Sequence, residues 1–217
     1  MPRNTKQTIP FAQQQLLEAI AQIKEGYSRD DVVPKLEAVM AQLQTLVTHD
    51  HLTGALNRNT LIERLDAELQ RSQRTGHTFT VAIIGIDRLL EIMELHGQDV
   101  TKRILQVLTT EASQVRRSLD SFGRIGATEF AIVMPTTWLD QSGKAMARLK
   151  DRLQAFDWQE VAPDLQISFC TGLTANSPGD SSEQVLSRAD QALRQARQQG
   201  VNSIVQIEAD LPDFTAE

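Results

Sequence analysis

The sequence predicts a mixed α/β (α+β) domain: a central sheet with an antiparallel hairpin, flanked by helices and preceded by a helical segment. Three observations carry this. Phe79 to Ile86 is a nearly unbroken β-rich run, the pattern of a central strand buried on both faces. Two short β-rich stretches, Ser121–Arg124 and Glu129–Met134, flank the small residues Gly126 and Ala127, as at a hairpin turn. Elsewhere apolar residues recur at three–four spacing over segments of helical length.

Taken in order, Phe11 to Lys24 places Leu16, Leu17, Ile20 and Ile23 on one helical face before Gly26-Tyr27-Ser28 interrupts. Val32, Val33, Leu36, Val39, Met40, Leu43, Leu46 and Val47 resume the spacing up to His49. Pro34 fits a helix only in its first turn, so Asp30 or Asp31 is the expected cap. Residues 1–49 thus form an amphipathic helical segment, either a hairpin packed on the main domain or a dimerising coiled coil; the spacing fits both. Residues 50–208 form the mixed domain. Asn57 to Arg74 is helical with Leu61, Leu65 and Leu69 on one face, and Arg88 to Arg116 is helical with a break near His96-Gly97. Past the hairpin come a helix from Gly143 to Phe156, a strand from Leu165 to Leu173 and a loop at Asn176–Asp180. A helix from Ser182 to Gln199 stops at Gly200, and Ser203 to Ile207 is the last strand. Residues 209–217 are a frayed tail. This order places the antiparallel pair in the middle of the sheet.

At 217 residues, 41% hydrophobic and 23% charged, the chain can bury a core without disulfides, and the single Cys170 could not form one internally. A net charge of −6 argues against a general nucleic-acid or anionic-membrane surface. No apolar run approaches the ~20 residues of a membrane helix. Met1 to Lys6 leads into no signal-peptide core, so a cytoplasmic protein is expected. Common catalytic signatures are missing: no Gly-x-Ser-x-Gly, no Gly-Lys phosphate loop, no Cys-x-x-Cys. His49 and His51 lack a third metal ligand, and Cys170 reads as a small core residue.

Four separated segments nevertheless stand in a recognisable order. They are Asp50-His51-Leu52-Thr53-Gly54-Ala55-Leu56-Asn57-Arg58, then Arg124-Ile125-Gly126-Ala127-Thr128-Glu129-Phe130, then Ile167-Ser168-Phe169-Cys170-Thr171-Gly172. The fourth runs from Ala189-Asp190-Gln191-Ala192-Leu193 through Ala196-Arg197 to Gly200-Val201-Asn202. Together they resemble the diguanylate cyclase family, the GGDEF domain, over about residues 50–207. The resemblance implies a nucleotidyl-cyclase or polymerase-palm-like sheet and an activity that joins two GTP molecules into cyclic di-GMP across a dimer.

That chemistry needs Mg²⁺ held by carboxylates. The two family carboxylate positions fall on Gly85 and Thr128, one without a side chain and one neutral. Asp87 and Glu129 are acidic but occupy neighbouring positions, and a strand alternates its faces. The second signature glycine is Ala127. The guanine-reading positions, eight and seventeen residues beyond Gly85, are Met93 and Lys102, and the phosphate-contacting lysine is Leu90. Of the late basic pair, Arg197 keeps a charge and Val201 does not. The signature Gly126, Ala127, Thr128, Glu129 and Phe130 is therefore read as degenerate, with no catalytic residues and no cofactor.

One family element is retained. Arg117-Ser118-Leu119-Asp120 is an Arg-x-x-Asp with five residues between it and Gly126, the family spacing of the inhibitory site for cyclic di-GMP. Its guanidinium and carboxylate suit a guanine edge or a phosphate, and Arg148 is a candidate third contact. The expected function is a catalytically inactive, dimeric cyclic di-GMP receptor or regulatory adaptor with an unidentified regulatory protein partner. The alternatives are an active cyclase with an atypical Mg²⁺ site and a nucleotide-independent scaffold.

Overall fold

The structure is a computed structural model that describes residues 16–18, 20–23 and 29–209. Its elements run α1 (Arg29–Thr48), α2 (Arg58–Thr75), β1 (Thr80–Ile86), α3 (Leu89–Val115), β2 (Ser121–Arg124), β3 (Glu129–Met134) and α4 (Leu139–Ala155). A 3₁₀ turn (Trp158–Glu160), β4 (Phe169–Ala175), α5 (Ser182–Gln199) and β5 (Ile204–Gln206) complete the chain order.

The five strands form one sheet in the order β2-β3-β1-β4-β5. β1 is antiparallel to both neighbours, β2 and β3 form the hairpin, and only β4 and β5 pair in parallel. Every residue of β1 is buried, and its alternation splits the core in two. Val81 and Ile83 pack with α2 and α5, whereas Ala82, Ile84 and Ile86 pack with α3 and α4. The edge strand β2 is covered by the segment before α2: Leu56 N–H donates to Phe122 O at 3.1 Å, and Arg124 N–H to Leu56 O at 2.8 Å. Asn57 caps α2 by accepting from Thr60 N–H, and Ser181 with Gln184 forms a capping box on α5.

The hairpin strands and α5 coincide with their predicted bounds. Other expectations need correction. The hairpin lies toward one edge of the sheet, not in its middle, because β1 inserts between β3 and β4. β4 begins at Phe169 and not Leu165, since pairing with β1 ends at Ile86↔Phe169 while Leu165 belongs to the turn after Trp158. α4 begins at Leu139, four residues early. α1 begins at Arg29, so Pro34 sits inside the helix beyond its first turn, and Asp30 and Asp31 are helical. The α3 break falls at Gly97, with φ 85° and ψ 177°, a conformation suited to glycine. Residues 11–15, 19 and 24, the interruption Gly26-Tyr27-Ser28, the side chains of Leu43 and Leu46, and the tail from residue 210 lie outside the described residues.

Ahead of the sheet, residues 16–18 and 20–23 are helical, and Lys35 Nζ donates to Gln22 Oε1 at 2.8 Å, joining that stretch to α1. Val32 and Val39, seven residues apart, are buried, while Leu17, Ile23, Met40 and Val47 are exposed. No helix among the described residues is long and apolar enough to cross a membrane.

α5 lies directly on β4 at Gly172. A Cβ on Gly172 would press into the α5 backbone at Ala189, Ala192 and Leu193, with the Ala192 carbonyl carbon at 2.7 Å. Backbone has nowhere to move there, so Gly172→Ala is expected to destabilise the domain by about 1–3 kcal/mol. At Gly126 the nearest atom to such a Cβ is 3.6 Å away, so Gly126→Ala should change stability by no more than about 0.5 kcal/mol. Urea denaturation of the two variants checks both.

Candidate functional site

The C-terminal end of β1 delivers Gly85 and Asp87 to one side of the sheet. Gly85 pairs with Glu129 on β3 and with Cys170 on β4. Cross-strand partners share a face, and so do residues two apart on one chain. Asp87 and Glu129 therefore converge with Gly85 and do not point away from it, correcting the expectation drawn from strand alternation.

What they converge on is Arg197, on the last turn of α5. Its Nε lies 3.6 Å from Asp87 Oδ1, and its Nη1 donates to Glu129 Oε1 at 3.2 Å. Its Nη2 fills the space into which a Gly85 side chain would project; a Cβ there would overlap it. The other Asp87 oxygen accepts from Ser168 Oγ–H at 2.8 Å and from Cys170 Sγ–H at 3.2 Å. Oδ1 is buried without a hydrogen-bond donor among the described residues and faces only the Arg197 charge. Burial first, and to a lesser degree the hydrogen bond to Asp87 and its charge, push the Cys170 thiol up to about 11 against the lowering effect of the Ser203 backbone, so it remains protonated.

The residues do not fit a divalent cation held as the resemblance implies. Gly85 offers no side-chain carboxylate, Thr128 offers a neutral oxygen, and a guanidinium occupies the position between the two remaining carboxylates. Among the described residues no group of three or more His, Cys, Asp or Glu comes together. The adjoining cavity, about 510 Å³, is bordered by Leu90, Thr128, Arg197 and Val201. Leu90 and Val201 are exposed at its border, beside the exposed Arg88–Glu91 ion pair, and Met93 and Leu95 are exposed further along α3. Lys102 pairs with Asp99 at 2.9 Å.

Arg124 has an architectural task. Its guanidinium donates to Gly126 O at 3.1 Å and Ala127 O at 2.9 Å, and lies 3.4 Å from Asp50. Asp50 in turn accepts from Thr53 N–H and Oγ–H. The hairpin loop is thus tied to the segment that precedes α2. Phe130 is fully buried and stacks on Phe122, with ring centroids 5.2 Å apart.

Arg117 and Asp120 are brought together at the turn between α3 and β2. Asp120 Oδ2 accepts from Arg117 N–H at 2.6 Å, and Asp120 N–H donates to Arg117 O at 3.1 Å. Burial raises the Asp120 pKa, opposed by that hydrogen bond and by the Arg117 and Arg116 charges. Arg117 is exposed. Arg152 on α4 donates to Glu111 on α3 at 2.7 Å, placing these two positions side by side. Strand directions make those helices antiparallel, so exposed Arg148, one turn before Arg152, lies toward the Arg117 end of α3. No ion pair or side-chain hydrogen bond engages Arg117 or Arg148 among the described residues. The convergence on Arg197 was not readable from motif spacing; it depends on the β1–β3–β4 register and the seating of α5.

A family model described as "Diguanylate cyclase, GGDEF domain" matches residues 47–203. The diguanylate cyclase DgcP of Pseudomonas aeruginosa is 32% identical over 151 residues, covering 70% of this chain and 22% of that protein. The response regulator PleD of Caulobacter vibrioides is 26% identical over 191 residues, 87% of this chain and 42% of the relative. The chain therefore spans less than half the length of these curated relatives. Among solved structures, diguanylate cyclase SiaD of P. aeruginosa, in complex with its activator SiaC, superposes with a TM-score of 0.72 at 28% identity, covering 90% of this chain and 73% of that one. The coiled coil and GGDEF domain of DgcB from Caulobacter crescentus, in complex with c-di-GMP, shares the fold with a TM-score of 0.74 at 19% identity, over 90% of this chain and 98% of that one. With its sheet, its four motifs and this match over most of its length, the chain belongs to the GGDEF-domain family of diguanylate cyclases.

Proposed function

We propose that this GGDEF-family chain binds cyclic di-GMP without making it, as a receptor or regulatory adaptor, at Arg117 and Asp120 with Arg148 assisting. The observation that carries the reading is a contrast between cations. Arg197, at the vestigial substrate site, is held by Asp87 and Glu129. Arg117 and Arg148 are exposed and unpaired among the described residues, which leaves their donors open to a guanine edge or a phosphate. Asp120 is already fixed by the turn, so the carboxylate is preorganised for guanine N–H groups.

A protein partner is part of the reading. DgcB is described with c-di-GMP and SiaD with an activator protein, and both kinds of partner are proposed here. Exposed Leu90, Met93, Leu95 and Val201 favour a second reading, a scaffold that works through this apolar surface alone. Dimerisation is proposed to use the exposed apolar residues of the N-terminal helices, notably Met40 and Val47.

Three measurements check these readings. Incubation with GTP and Mg²⁺ or Mn²⁺ is expected to yield no cyclic di-GMP, and Gly85→Asp with Thr128→Asp is expected to yield none either, because Met93, Lys102 and Leu90 remain. Product that scales with protein and vanishes on Glu129→Ala would establish the atypical cyclase. Sedimentation should show a dimer that weakens when residues before His49 are removed; a concentration-independent monomer of the full chain would refute the dimer. Calorimetry should show cyclic di-GMP binding that GTP does not compete for and that weakens with salt. Arg117→Ala should weaken it by about 1.5–3 kcal/mol, roughly tenfold or more, and Asp120→Asn should weaken it too. Absence of heat at high micromolar ligand would leave the scaffold reading in the lead.

A further inference from the structure

We infer that Arg197 is a built-in counter-ion that takes the place of a divalent cation, so that the vestigial metal centre is closed by the chain itself. This deepens the non-catalytic half of the reading above and rests on it. The geometry makes the case at three points. Arg197 reaches both surviving carboxylates, with Nε 3.6 Å from Asp87 Oδ1 and Nη1 3.2 Å from Glu129 Oε1. Its Nη2 enters the volume that a side chain at residue 85 would need, and glycine at that position is what gives it room. Asp87 Oδ1, buried and without a hydrogen-bond donor among the described residues, is compensated by that charge alone.

The arrangement has an electrostatic consequence. Two carboxylates and one guanidinium leave the cluster with a formal charge of −1, with Asp87 on its buried side and Arg197 and Glu129 partly open to solvent. A triphosphate approaching it meets a negative cluster whose cation is already satisfied. A hard divalent ion meets carboxylates that are occupied, and would have to displace a side chain anchored by α5. Removing the guanidinium should reverse the situation. Asp87 and Glu129 would then face one another with no cation, and oxygen ligands so placed favour Mg²⁺ or Mn²⁺.

The test is cation binding by the full chain, read by calorimetry and by Mn²⁺ relaxation enhancement, with no reference to product. Wild type should bind Mn²⁺ weakly or not at all. Arg197→Ala should bind it at least about tenfold more tightly, with a rise in thermal midpoint on adding the ion. Glu129→Gln in the Arg197→Ala background should remove the gain, and Arg197→Lys should stay close to wild type. Arg197→Met, which keeps much of the side-chain bulk, serves if the alanine variant does not fold. Tight Mn²⁺ binding by wild type that Glu129→Gln abolishes would overturn the inference, as would a folded Arg197→Ala or Arg197→Met with no gain. Cyclic di-GMP binding is measured in a separate titration, so the two proposals fail independently.

Discussion

The seating of α5 on β4 is the contact on which the rest of this domain depends. Gly172 allows the backbone of the helix to lie directly on the strand, and Ala189, Ala192 and Ala196 keep the contacting face of the helix narrow. A helix held that close is fixed along its length and rotation as well as its distance, because interiors are packed to near crystal density. One consequence lies near the far end of the helix. Arg197 comes down over Gly85 at the end of β1, between two carboxylates supplied by β1 and by the hairpin. The helix, the strand and the hairpin are thereby joined at the one point where all three end.

Two parts of the domain then differ in what their charges are free to do. At the end of β1 the one cation is held between two carboxylates, and Leu90, Met93 and Val201 nearby present apolar side chains to solvent. At the turn between α3 and β2, Asp120 uses one oxygen to close the turn while the arginines beside it extend outward. Arg124 illustrates a third use of charge. It ties the hairpin loop to Asp50, so a residue of the family signature holds two motifs together. Cys170 also belongs to the architecture: a protonated thiol, donating to Asp87, helps to orient the carboxylate that Arg197 faces.

The N-terminal helices show a different balance. Val32 and Val39 are buried, while Val33, Met40 and Val47 of the same apolar pattern are exposed. A helix of this length is marginal in isolation, so burial of one seam and exposure of another is an arrangement suited to a further partner surface.

Much of this was legible in the sequence. The run from Phe79 to Ile86 fixed the central strand because only a doubly covered strand tolerates continuous apolar residues. The small residues between Arg124 and Glu129 fixed the hairpin, and the Gly-terminated pattern to Gln199 fixed α5, because turns and helix ends are local events set by nearby residues. The Arg117–Asp120 pair was also local, since a turn of four residues brings its own ends together. Tertiary structure alone decided which strands are neighbours and where β4 starts, since both are set by pairing with β1 and not by the composition of the strand itself. It also decided the fate of Asp87 and Glu129. In the sequence they are acids beside two missing ligands; in the fold, register and face bring them together, and an arginine 110 residues beyond Asp87 supplies the positive charge between them. No spacing rule contains that contact, because its distance depends on how closely one helix can approach one glycine.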